Sequence, residues 1–203
     1  MMFFQDTRSV GIVFWIVVFL LLINAVILII GALSEELVVT PEYVYDERRF
    51  GLAIGISSVV SAVIYGLNAH RMMCRKWSRI EVLRSYVLTV GLCTLIEGLG
   101  ESVAVYFFTE EAETALAMAV STVILAFVIV LVSMVIAKGK KGIVKMIIWA
   151  ILVIAFVLMV LDSLTPAENY WEYASHIAHM LIGFFMLSLL LDRDVRAEMG
   201  VRA

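Results

Sequence analysis

A chain of 203 residues that is 63 % hydrophobic, with a mean hydropathy of +1.04, is too apolar to keep its surface in water, which excludes a soluble enzyme. Its 15 Lys and Arg against 18 Asp and Glu leave a net charge of −3, with no footprint for nucleic acid, so the placement of the charges matters more than their sum. The 2 cysteines, Cys74 and Cys93, supply neither a disulfide framework nor a CxxC metal or redox pair.

Crossing a hydrocarbon core of roughly 30 Å takes about 20 apolar residues at 1.5 Å rise per residue. Six segments meet or approach that length: 11–33, 50–69, 85–108, 114–137, 143–164 and 173–191. The backbone must satisfy itself in lipid, and no period-2 alternation announces a barrel, so each reads as a helix. The expectation is an all-α polytopic membrane protein, a bundle of six transmembrane helices in which 1–203 form one transmembrane domain.

The first run, 11–33, exceeds the roughly 7–15 residues of a signal-peptide core and reads as a retained span. In the second, Gly51, Gly55, Ser58, Ala62 and Gly66 recur at three- and four-residue steps, a small-residue stripe that admits a neighbouring helix closely. Ser57 and Ser61 stand beside it. The connection that follows, 71–84, interleaves basic and apolar residues and suits an anionic leaflet.

The third span carries Glu97 and Glu101, four residues apart, with Gly98 and Gly100 between them. The fifth is bracketed by Lys145, which can snorkel to the interface, and Asp162. The sixth carries His176 and His179 at three-residue spacing. At about 100° per residue each pair shares one helical face. Counting from span centres puts Glu97 near mid-membrane, Glu101 about 6 Å and His179 roughly 4–5 Å outward, and His176 and Asp162 near 9–10 Å.

The basic residues orient the chain. With both termini cytoplasmic, every Lys and Arg except Arg48 and Arg49 falls inside, as the positive-inside rule requires, and the outward segments are acidic. The expected location is the cell membrane, multi-pass, with both termini cytoplasmic. Two three-helix halves of opposite orientation also provide the arithmetic of a 3+3 inverted pseudo-repeat.

A central acidic residue costs about 2.5–3.5 kcal/mol on the insertion scale, against about 0.3–0.6 returned by each strong apolar residue, so the third helix must turn its acidic face into the bundle. Glu97, Glu101, His176, His179 and Asp162 therefore form the candidate ion, proton or substrate site. Glu101, His176 and His179 are its candidate metal ligands, for a divalent Zn, Mn or Fe ion by ligand type.

Three functions stay open on these residues. The leading one is a transporter or channel for protons or a small divalent cation. The second is a non-catalytic subunit or assembly partner, in which the lipid bilayer is joined by a homo-oligomer or a membrane-complex partner. The third is a metal-dependent intramembrane hydrolase of a lipid-like substrate. Membrane histidines with Ser and Asp also occur in seven-span alkaline ceramidases. Six spans, HxxH spacing in place of HxxxH and no third outward histidine separate this chain from them, so no family is assigned and enzymatic activity stays open.

Overall fold

The structure, a computed structural model, describes residues 7–34, 47–74, 77–109, 111–138, 142–166 and 170–201. All of its regular elements are helices: α1 (Thr7–Ser34), α2 (Glu47–Cys74), α3 (Arg79–Thr109), α4 (Ala112–Lys138), α5 (Ile143–Asp162), α6 (Tyr170–Leu190) and a short α7 (Arg193–Glu198). Most of the acidic connection expected at 34–49, and Lys140 and Lys141, lie outside the described residues.

Among the described residues five helices are long and apolar enough to cross a membrane: Val10–Leu33, Gly51–Cys74, Arg79–Phe107, Ala112–Lys138 and Ile143–Asp162. The sixth forms as a helix, but among the described residues its apolar stretch is the shorter His176–Leu190. Its 21 residues still extend about 31 Å at helical rise.

Consecutive helices run antiparallel, as their pairings show. Gly11 lies against Met73 and Ala69, and Gly55 against Ile29 and Ala25, which sets α1 against α2 head to tail. The Ser133 hydroxyl of α4 donates to the Arg84 carbonyl of α3 at 3.1 Å, and the Trp149 indole of α5 to the Leu190 carbonyl at the end of α6 at 2.8 Å. Arg71, Arg79, Arg84, Lys138, Lys145, Arg193 and Arg196 consequently gather at one end, and Glu101, Glu111, Glu113 and Asp162 at the other.

Side by side the helices follow the order α4, α3, α2, α1, α6, α5, and the arc closes poorly because α4 and α5 barely touch. The packing of α1–α3 is thus tighter than that of α4–α6. Lipid-facing composition sets who sits where. The most apolar helices, α1, α4 and α5, bury least of their span, whereas the less apolar α2 and α3 bury most and occupy the middle. Phe19, Leu116, Phe127 and Ile143 are among the large apolar side chains left on the outside.

Four aromatic rings cement the interior. Phe14 of α1 packs on Tyr65 of α2 at 5.9 Å and on Tyr86 of α3 at 5.6 Å, and Tyr86 meets Phe156 of α5 at 5.6 Å. At the basic end, Ser78 and Glu81 form a reciprocal cap on α3, the Ser78 amide donating to the Glu81 carboxylate at 2.7 Å. Arg79 pairs with Asp192, which caps α7 by accepting from the Asp194 amide at 3.0 Å. The turn after α7 ends on Gly200, whose φ of 79° is in the region open to glycine.

The small-residue stripe faces α1, yet its members are unequally constrained. A Cβ at Gly55 would come within 2.6 Å of the Ile29 side chain, while one at Gly66 would meet nothing nearer than 3.7 Å. On α3, a Cβ at Gly98 would collide with Thr122 of α4 and one at Gly100 with Ser57 of α2 at 2.7 Å. Gly98→Ala is expected to destabilise the detergent-solubilised protein by about 1–3 kcal/mol through overpacking. Gly66→Ala should be neutral or stabilising by up to about 1 kcal/mol, since it removes only glycine's backbone freedom. Thermal unfolding of the two variants beside the wild type checks both.

Candidate functional site

The inner helices meet along a polar seam. On α3, Ser85, Thr89, Cys93, Glu97 and Glu101 follow one another at four-residue steps. Opposite them on α2 stand Ser57, Ser61, Tyr65 and Asn68. At the basic end the Asn68 amide donates to the Thr89 hydroxyl at 2.7 Å and accepts from the Ser85 hydroxyl at 2.5 Å. Further along, the Cys93 thiol lies 3.9 Å from the Ser61 carbonyl. Ser61 is fully buried and acts on the Glu97 carboxyl, but its Oγ makes no fully formed hydrogen bond.

A four-residue step advances a helix by 400°, so successive members of the row on α3 rotate by about 40° each. That drift separates the two glutamates. Glu97 is half-buried and lines a partly open cavity of about 80 Å³, whereas Glu101, one turn nearer the acidic end, is exposed.

The cavity is shared by four helices. Asn24 comes from α1, Tyr65 from α2, Glu97 from α3 and His179 from α6, with Val17, Leu21 and Ile182 completing its apolar wall. Its volume has room for a few waters, at roughly 10–15 Å³ of such space for each. Polar groups to hold them are present: the Asn24 Oδ1 is buried with no hydrogen-bond partner, and Tyr65, Glu97 and His179 share the lining. The Tyr65 hydroxyl interacts with that of Tyr86, which carries the polar track from the cavity towards the aromatic cluster.

The structure therefore brings Glu97 and His179 to one cavity and leaves the other three candidates outside its lining, towards the acidic end of the bundle. Asp162, at the exposed end of α5, and half-buried His176 both act electrostatically on His179, and Glu101 acts on Glu97. His179 is itself exposed along its outer edge. Among the described residues no group of three or more His, Cys, Asp or Glu is placed to hold a metal ion, so Glu101, His176 and His179 do not assemble as the ligand set expected of them. Glu101, one turn along α3 from Glu97, is exposed and takes no part in the lining.

Asn24, Tyr65, Asn68 and Thr89 escaped a reading based on charge. The signal for Asn24 was available, because it is the one amide in the most apolar span; the partners of Asn68 become visible only once α2 and α3 are docked. No known family matches the chain, and no curated protein or solved structure is detectably similar to it.

If the cavity holds water, a cysteine there must be reachable by small water-soluble thiol reagents. In a Cys74→Ser background, Asn24→Cys is expected to react on the order of tenfold faster than native Cys93, which is 3 % exposed and packed against α2. Equal rates, followed by mass spectrometry, would mean a dry cavity.

Proposed function

We propose that the chain is a membrane transporter or channel for protons, with Glu97 and His179 as its exchanging groups. In this reading it crosses the cell membrane six times, the basic end and both termini are cytoplasmic, and the acidic rim faces outward.

One observation carries the proposal: a carboxylate and an imidazole, contributed by helices far apart in the sequence, line the same small polar cavity between four helices. An intramembrane ionisable residue is costly and marks a pathway more often than it serves packing. Imidazole and carboxyl groups are also the side chains whose protonation can be brought close together by burial, which relay between them requires. The rim of Glu101, Asp162 and His176 would gather cations at the mouth. From Glu97 the hydroxyls of Ser61, Tyr65 and Tyr86, then Thr89 and Ser85, extend towards the basic end. From Ser85 to Glu101 the row advances 16 residue steps, about 24 Å of helix, or most of the hydrocarbon thickness.

Protons are favoured over a divalent cation because the cavity offers one carboxylate and one imidazole, fewer ligands than Zn²⁺, Mn²⁺ or Fe²⁺ takes. A passive subunit would have no need for two ionisable groups facing one space that holds a few waters.

The reading is tested by flux of protons into liposomes carrying the purified protein and an internal pH dye, driven by a potassium diffusion potential. Glu97→Gln is expected to lower the protein-dependent flux on the order of tenfold or more, equivalent to about 1.4 kcal/mol or more on the barrier. Glu101→Gln should reduce it by a smaller factor, on the order of twofold, because it alters only the field at the mouth. Flux that survives Glu97→Gln unchanged, or wild-type liposomes no leakier than empty ones, would reject the assignment.

A further inference from the structure

Where α4 and α5 fail to close the bundle, α3 forms the floor of a second space. It is a cleft of about 370 Å³, open to the side and walled by apolar groups, among them Tyr86 and Val90 of α3, Val128 and Val132 of α4, and Leu152 and Met159 of α5. It shares no lining residue with the cavity of Glu97 and His179. On α5 the lining runs from Ile148 to Met159, which is about 16 Å of helix and equal to one leaflet's share of a roughly 30 Å hydrocarbon core. A slot of this length, apolar in its lining and partly open, fits a single acyl chain.

The end of the slot is not apolar. Lys145 precedes Ile148 by three residues and Leu152 by seven, so it continues the same face of α5 that lines the cleft. Its residue is 4 % exposed and no carboxylate or hydrogen-bond acceptor is paired with it among the described residues, yet its ammonium is not among the buried unpaired polar atoms, so a buried stem carries the charge outward as expected of a snorkelling lysine. A cation placed at that end of the slot attracts the phosphate of an anionic lipid. Arg84, whose carbonyl is bonded by Ser133, and Lys138 add cations on α3 and α4 at the same end of the bundle.

We propose that this cleft is a binding site for an anionic phospholipid of the leaflet at the basic end, one acyl chain lying between α4 and α5 and the phosphate meeting Lys145. Charge complementarity selects the anionic headgroup, and the matched length selects an acyl chain over a transmembrane helix of a partner. The site is independent of the proton-pathway reading.

Native mass spectrometry of the full chain, released from detergent after exposure to phosphatidylglycerol or to phosphatidylcholine, tests it with two variants. Wild type is expected to retain one phosphatidylglycerol in several-fold preference to phosphatidylcholine. Lys145→Gln should abolish the preference. Ala155→Phe, at an exposed position that lines the cleft, should fill the slot and abolish retention of either lipid. Should Ala155→Phe lose helicity, the preference in Lys145→Gln alone decides. Equal retention of the two lipids by wild type, or variants that behave as wild type does, overturns the proposal. So does a dimer that Ala155→Phe disperses, because the occupant would then be a second copy of the chain.

Discussion

A carboxylate halfway along α3 can be sheltered from lipid only by other helices, and the rest of the bundle is arranged around that requirement. An acidic side chain at the bilayer centre costs about 2.5–3.5 kcal/mol, while interhelical hydrogen bonds in membranes average about 0.6 kcal/mol and reach about 1.7. Bonds such as Asn68 to Thr89 therefore cannot offset Glu97 singly. Position does more: α3 lies between α2 and α4, α2 lies between α3 and α1, and the seam between α2 and α3 collects Ser57, Ser61, Asn68, Ser85 and Thr89 along with Glu97. The three most apolar helices bury the smallest share of their spans, so most of their surface meets a solvent as apolar as they are.

Close approach makes the seam tight, and it depends on what is missing from side chains as much as on what is present. Gly98 lets α4 come up to Thr122, and Gly100 lets Ser57 of α2 stand where a Cβ would be. With α3 held from two sides, Glu97 has little freedom to leave its cavity, and the proton reading depends on that fixity. A relay needs donor and acceptor within reach of the same few waters, so the small volume of the cavity matters as much as its polarity.

Apolar run length alone located the helices, because 20 uncharged residues in lipid leave a chain no other way to satisfy its backbone. The span 114–137 agrees closely with α4 (Ala112–Lys138) for that reason. Where charge interrupts the run the agreement weakens, as in α6, whose apolar stretch begins only at His176. The short α7 was unreadable as a span and depends on Asp192, which caps it and also pairs with Arg79 from a distant part of the chain. Glu97 and His179 stood out as ionisable groups in apolar surroundings, and the cavity unites them. Which member of each pair faces inward was not legible from spacing. Both members of a pair lie on one broad face, and the 40° that separates Glu101 from Glu97 becomes decisive only when α6 has docked. Asn24, neutral and short, gave no charge signal although it supplies the cavity's unpaired oxygen.

Tyr86 ties the two spaces together. Its ring is part of the wall of the lipid-facing cleft, its hydroxyl interacts with Tyr65, and Tyr65 lines the cavity with Glu97. The ring is 2 % exposed and wedged between Phe14 and Phe156, so its placement reflects the packing of α1 and α5 together. Anything that widens or fills the gap between α4 and α5 must act on Phe156 and Tyr86 before it can act on Tyr65. Such a link changes the behaviour of the cavity only to the extent that an occupant of the cleft binds one arrangement of Tyr86 better than another. The bundle supplies the physical connection through two rings and a hydroxyl pair; the strength of any coupling is the difference in the occupant's affinity for those arrangements.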